Sequence, residues 1–186
     1  DLEGELYIES NPALTSLTRL EGLGSVGGNL VILDNDRLTS LTGLRGVTSL
    51  GSILYIGYND ALLSLTGLEG MTNIGNLIIE YNPALTKLTG LDSLTEVRWL
   101  LSISYSDGLT NLTGLENLYS VGGDLGLIGN LTLTSLKELE ALTFVGGGLY
   151  VDSNPALATL TGLEGLTHIR EELYIADNDG LINLRG

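Results

Sequence analysis

Residues 6–29 read LYIESNPALTSLTRLEGLGSVGGN, and residues 149–172 read LYVDSNPALATLTGLEGLTHIREE. The two stretches are one pattern written twice, and aligning the chain on it finds further copies at Leu30, Leu54, Leu77, Leu101, Leu125 and Leu173. The spacing is 24 residues, except for the copy that begins at Leu54, which has 23. Seven copies are complete and an eighth stops at Gly186. Self-similarity at such a period marks a stacked repeat architecture, so residues 1–186 are expected to form a single solenoid domain.

Numbering each copy from its first Leu, the apolar positions are one, three, nine, twelve, fifteen, eighteen and twenty-one, as in Leu6, Ile8, Leu14, Leu17, Leu20, Leu23 and Val26. Positions one and three alternate with exposed ones, the two-residue period of a β-strand. Positions nine to twenty-one step by threes. An α-helix advances 100° per residue, so steps of three drift off one face; 3₁₀ turns or extended backbone fit instead. Each turn is therefore one short parallel strand followed by 3₁₀ or extended segments, with little or no α-helix. A single turn cannot bury its apolar side chains, but stacked turns bury them as continuous columns.

Other columns fit the same picture. Position six holds Asn11, Asn35, Asn59, Asn82, Asn130, Asn154 and Asn178, broken only by Ser106. An amide at an inward corner is suited to bond backbone groups left unpaired by the turning chain. Glycines recur at position fourteen (Gly43, Gly67, Gly90, Gly114, Gly162) and at position twenty-two (Gly27, Gly51, Gly75, Gly122, Gly146), which points to positive φ or close backbone approach. Pro12, Pro83 and Pro155 follow the Asn column, where the strand has ended and a missing N–H is tolerated.

The LxIxxN strand segment, the xxLxxLxxL run and the V-G-G corner together resemble the leucine-rich-repeat superfamily, closest to receptor L-domain repeats. The resemblance covers nearly the whole chain. It departs from the commonest leucine-rich pattern in the spacing around Asn, and it lacks cysteine-rich caps. The resemblance implies a right-handed solenoid with a parallel sheet, a recognition role, and an extracellular or cell-surface location.

The net charge is −15, from 23 acidic against 8 basic residues, which repels phosphate backbones and argues against nucleic acid or an anionic membrane as partner. No apolar run is long enough to insert into a bilayer. There is no cysteine and a single histidine, His168, at a variable exposed position. No catalytic triad, phosphate loop or HExxH motif is present. Glu138 with Glu140, and Glu171 with Glu172, read as solvated carboxylates rather than an acid–base pair. Asp34-Asn35-Asp36, Asn59-Asp60 and Asp177-Asn178-Asp179 put oxygen ligands at corners, but Asn and Asp also make turns, and no calcium-solenoid motif accompanies them. The expectation is a non-catalytic protein without metal or cofactor.

A binding face is expected where outward residues vary between turns. Outward strand positions supply Tyr55, Ile78 and Glu80. Position five adds Tyr58, Tyr81 and Tyr105 in three successive turns, and the fourth turn replaces its glycine corner by Arg98-Trp99. Tyr, Trp and Arg are the residue types enriched at interaction hot spots, although stacked tyrosines also zip neighbouring strands. These residues are the candidate site for a protein or glycan ligand. A structural spacer or surface-layer segment is the alternative. A lesser one is ice binding by the columns that include Thr18, Thr42 and Thr66; Thr86, Thr110 and Thr134; and Thr95, Thr143 and Thr167. Two N-glycosylation sequons stand at Asn111 and Asn130, the former on an outward column and the latter in the Asn column. Finally, Leu173, Ile175, Leu181 and Leu184 continue the core columns to the end of the sequence. Further repeats or caps in a longer protein, or end-to-end self-association, are expected to cover them.

Overall fold

The computed structural model describes residues 1–186. It is a β-solenoid of about 7 turns, with almost no helix. The strands Leu6–Glu9, Leu30–Leu33, Ile53–Gly57, Asn76–Glu80, Leu101–Ser104, Leu125–Ile128, Leu149–Asp152 and Leu173–Ala176 lie side by side, in chain order, in one eight-stranded parallel sheet. Register follows the repeat directly: Leu6 pairs with Leu30, Leu54 with Leu77, and Leu149 with Leu173. The residue missing from the 23-residue turn does not disturb this sheet.

Positions twenty and twenty-one add a second, two-residue strand to each of the first seven turns, within the arc that the three-residue spacing marks only as 3₁₀ or extended. Ser25–Val26 and Ser49–Leu50 pair with each other, while Asn73–Ile74 to His168–Ile169 form a separate five-stranded ribbon. The break falls between Ser49–Leu50 and Asn73–Ile74, where the short turn enters. A one-residue deletion is thus absorbed on this side of the coil.

Between the sheets, one continuous cluster of 41 buried residues fills the solenoid from Leu17 to Leu163. It consists of the predicted columns: Leu30, Ile32, Leu38, Leu41 and Leu44 are fully buried, and so are their equivalents in the middle turns. Full burial of each such side chain stabilises by about 1.5–3 kcal/mol gross. In the first turn Leu6, Ile8, Leu14, Leu20 and Leu23 are only partly covered, as are Leu166, Ile169, Ile175 and Leu181 at the other end, where Leu173 and Leu184 are exposed. An apolar hollow of about 210 Å³ opens there among Leu149, Leu163, Ile169 and Leu173.

The Asn column works as expected. Asn59 Nδ2 donates to Ile32 O in the turn before (2.9 Å) and to Gly57 O in its own turn (2.7 Å). Its Oδ1 accepts from the backbone N–H of Asn35 (3.3 Å). The pattern repeats at Asn35, Asn82 and Asn154, so these buried amides have their partners within the solenoid. Ser106 is too short to follow it: its Oγ donates only to Ser104 O, in its own turn, at 3.3 Å.

The two glycine columns have different causes. At position fourteen Gly67, Gly90, Gly114 and Gly162 have φ of 113° to 122°, a region essentially closed to other residues. At position twenty-two no glycine has positive φ; a Cβ on Gly51 would instead collide with the backbone carbonyl of Gly27 in the turn before. Arg19 and Glu138 stand at position fourteen in turns one and six, and there the chain closes into 3₁₀ helices, Thr18–Leu20 and Lys137–Leu139. Turn two also closes as 3₁₀ (Thr42–Leu44), packed on its neighbour.

Candidate functional site

At the C-terminal edge of the main sheet every turn makes the same sharp bend, and the residue at position five makes it in the left-handed region. Ser10, Asp34, Tyr58, Tyr81, Tyr105, Gly129, Ser153 and Asp177 all have φ between 48° and 67°. This bend swings the following Asn inward. Gly suits such a position and Asp tolerates it; other L-residues pay about 1–2 kcal/mol there, and a bulky aromatic is an outlier. No glycine pattern marks position five, so the sequence does not announce its backbone.

The three tyrosines at this position form a stack. Ring centroids of Tyr58 and Tyr81 are 4.7 Å apart with planes 18° from parallel, and Tyr81 and Tyr105 are 4.8 Å apart at 13°. The spacing is that of the strands carrying them. The three tyrosine residues are 38–45% exposed. The ring of Tyr105 leans over Gly129, so the far end of the stack is closed by backbone. Stacking covers ring faces and leaves edges and hydroxyls toward solvent. Burial, followed by the neighbouring Tyr58 and Tyr105, raises the pKa of the Tyr81 phenol.

On the adjoining sheet face, Tyr55 is the register partner of Ile78, and Gly57 of Glu80. The Tyr55 hydroxyl donates to Glu80 Oε1 across the two strands. Burial, and then this bond, push the Tyr55 pKa upward. Tyr55, Ile78 and Glu80 are half-buried, so this pair ties the fourth strand to the third beside the stack.

Arg98 and Trp99 do not join this group. They precede the strand Leu101–Ser104, whereas Tyr105 follows it, so roughly 13 Å of strand lies between. Arg98 Nη2 donates to Asn73 Oδ1 (2.8 Å) on the minor-sheet side. Trp99, 64% exposed, stands alone at the opposite corner. The candidate residues therefore separate into a tyrosine edge with Tyr55, Ile78 and Glu80, and a distant Arg98-Trp99 corner.

Several outward side chains serve the backbone instead. Thr95, Thr143 and Thr167 hydroxyls donate to carbonyls of the preceding turn at 3.0–3.2 Å, and Thr134 does the same to Thr110 O at 3.0 Å. At position sixteen Glu69, Asp92, Glu116 and Glu164 accept the N–H of the position-fourteen glycines at 2.7–3.0 Å. That role is legible in the recurring G-L-[DE] triplet. Glu138 Oε2 accepts the Leu112 N–H (3.3 Å), and the exposed His168 Nδ1 lies 2.9 Å from the Thr167 hydroxyl. No three carboxylate or imidazole side chains are grouped so as to hold a metal ion.

Fold and site together define the class: a parallel β-solenoid with an aromatic stack on one edge of its sheet. No protein-family model, curated protein or solved structure matches the chain.

Proposed function

We propose that the chain is a non-catalytic recognition module of leucine-rich-repeat type, presenting the Tyr58–Tyr81–Tyr105 edge to a protein ligand outside the cell. One observation carries this reading: three successive half-exposed tyrosines occupy a strained position that five other turns fill with Ser, Asp or Gly. The fold does not need rings there, and strain of this kind collects at functional sites. Rigid aromatics with few rotatable bonds are also what interfaces favour at their centres. A protein suits the edge better than a glycan, because sugar stacking requires ring faces and the stack covers most of them.

Panning a random-peptide phage library on the protein tests the proposal. Enriched clones should lose about tenfold or more in affinity for the Tyr81→Asn variant, whose Asn tolerates the left-handed bend. Clones indifferent to Tyr81→Asn would overturn it. The spacer reading, supported by eight strands running without an insertion, would then take its place.

A further inference from the structure

The tyrosine stack has two unlike ends. At Tyr105 the outer ring face rests against Gly129, and Tyr81 is covered on both sides. Tyr58 has one face on Tyr81, while its other face looks toward turn two. There position five holds Asp34, a short exposed carboxylate one strand spacing away, about 4.8 Å along the solenoid. Asp34 Oδ2 accepts a hydrogen bond from the Ser10 hydroxyl at 2.9 Å, which leaves its other oxygen available. The seat where a fourth ring would continue the stack lies over Asp34 itself, with the π face of Tyr58 on one side and the Asp34 carboxylate, held toward Ser10, at its base.

We infer that this seat takes the guanidinium of an arginine presented by a basic segment of a partner protein, an assignment that rests on the recognition reading above. A guanidinium is planar, so it can continue the stack on the face of Tyr58 while its fork of N–H donors meets Asp34. A lysine ammonium satisfies the charge but not the stacking. The surroundings are complementary to such a segment. Asp36 stands in the seat's own turn, Asp60 in the next and Asp107 two turns further on, with Arg37 as the single basic residue in positions five to eight of any turn. The whole chain, at −15, steers cations toward it.

The test is a titration, followed by NMR at physiological salt, with three synthetic nonapeptides: (Arg-Gly-Ser)₃, (Lys-Gly-Ser)₃ and the citrulline counterpart of the first. The arginine peptide should bind several-fold more tightly than the lysine peptide, shift the Tyr58 ring protons, and leave the citrulline peptide without measurable binding. Tyr58→Ser, which installs the residue of turns one and seven, and Asp34→Asn should each weaken the arginine peptide by about fivefold, within the span of an exposed cation–π contact and one ion pair. Circular dichroism confirms that the variants keep their fold. Equal binding of arginine and lysine peptides, binding indifferent to Tyr58→Ser, or no binding at all would each overturn the inference. Tyr81-dependent phage clones lacking arginine would also overturn it while leaving the recognition reading in place.

Discussion

Tyr105 and Gly129 fit together as ring and backbone: a Cβ built on Gly129 would stand 2.6 Å from Tyr105 Cδ1. Gly129 also has φ of 67°. One glycine therefore meets two demands, conformation and space, and it terminates the aromatic stack. Gly129→Ser keeps a residue that turns one and seven accept at this bend, but it must displace the ring. Urea denaturation should show a loss of about 1–3 kcal/mol, with a changed near-ultraviolet tyrosine signal. Unchanged stability and signal would mean the ring moves freely.

Ser106 is the gap in the amide column. The Asn82 N–H reaches Ser106 Oγ at 3.4 Å, whereas the Asn59 N–H meets an amide oxygen at 3.1 Å. Ser106→Asn should complete the column and raise stability by about 0.5–1.5 kcal/mol, the net value of a typical buried hydrogen bond. A destabilised variant would show that turn five has closed around the smaller side chain.

The position-twenty-two glycines are predicted to be intolerant for steric reasons alone. Gly51→Ala puts a methyl group into the carbonyl of Gly27, and the turns would have to separate, costing about 3 kcal/mol or more. Gly22, around which a Cβ would meet nothing within 4 Å, is the control. Gly22→Ala should lie within about 0.5 kcal/mol of the parent. Similar melting temperatures for the two variants would refute the close-approach assignment.

Alkaline pH probes the sheet face at the other end. The Tyr150 hydroxyl donates to Glu172 Oε1 at 2.8 Å, and this bond, then burial, raises its pKa from 10.0 to about 12. The folded state holds this proton more tightly than the unfolded chain. The stabilisation is fully present below pH 10 and is lost as pH rises from about 10 to about 12. Tyr150→Phe removes the bond, so it should lower stability below pH 10, neutral pH included, and flatten the curve between about 10 and about 12. A curve as steep as the parent's would remove Tyr150 from the account.

The two sequons should behave differently when the chain is made through a eukaryotic secretory pathway. Asn111 is half-exposed; its Oδ1 accepts the Thr113 N–H at 3.1 Å, and its Nδ2 has no partner nearer than the Thr110 hydroxyl at 3.4 Å. Asn130 is fully buried, with Nδ2 bonded to Ile103 O at 2.9 Å. Mass spectrometry of the folded protein should find sugar at Asn111 alone. Folded chains carrying sugar at Asn130 would contradict the inward column.

What the sequence determined by itself is the architecture along the axis. A side-chain column that recurs every turn records a contact between neighbouring turns, so period, strand position, core composition and the inward Asn are all readable from spacing. The face bearing Tyr55, Ile78, Glu80 and the tyrosine column was legible for the same reason. Tertiary structure alone decided what happens around each turn, because direction there depends on backbone torsions that side-chain types mark only weakly. Position five turns left-handed under Tyr58, Tyr81 and Tyr105 with no glycine to signal it. Arg98 and Trp99 are close to Tyr105 in the chain, yet a strand of extended backbone carries them to the opposite edge. The two glycine columns look alike in sequence; one answers to φ and the other to a carbonyl of the turn before, a distinction that exists only once the turns are stacked.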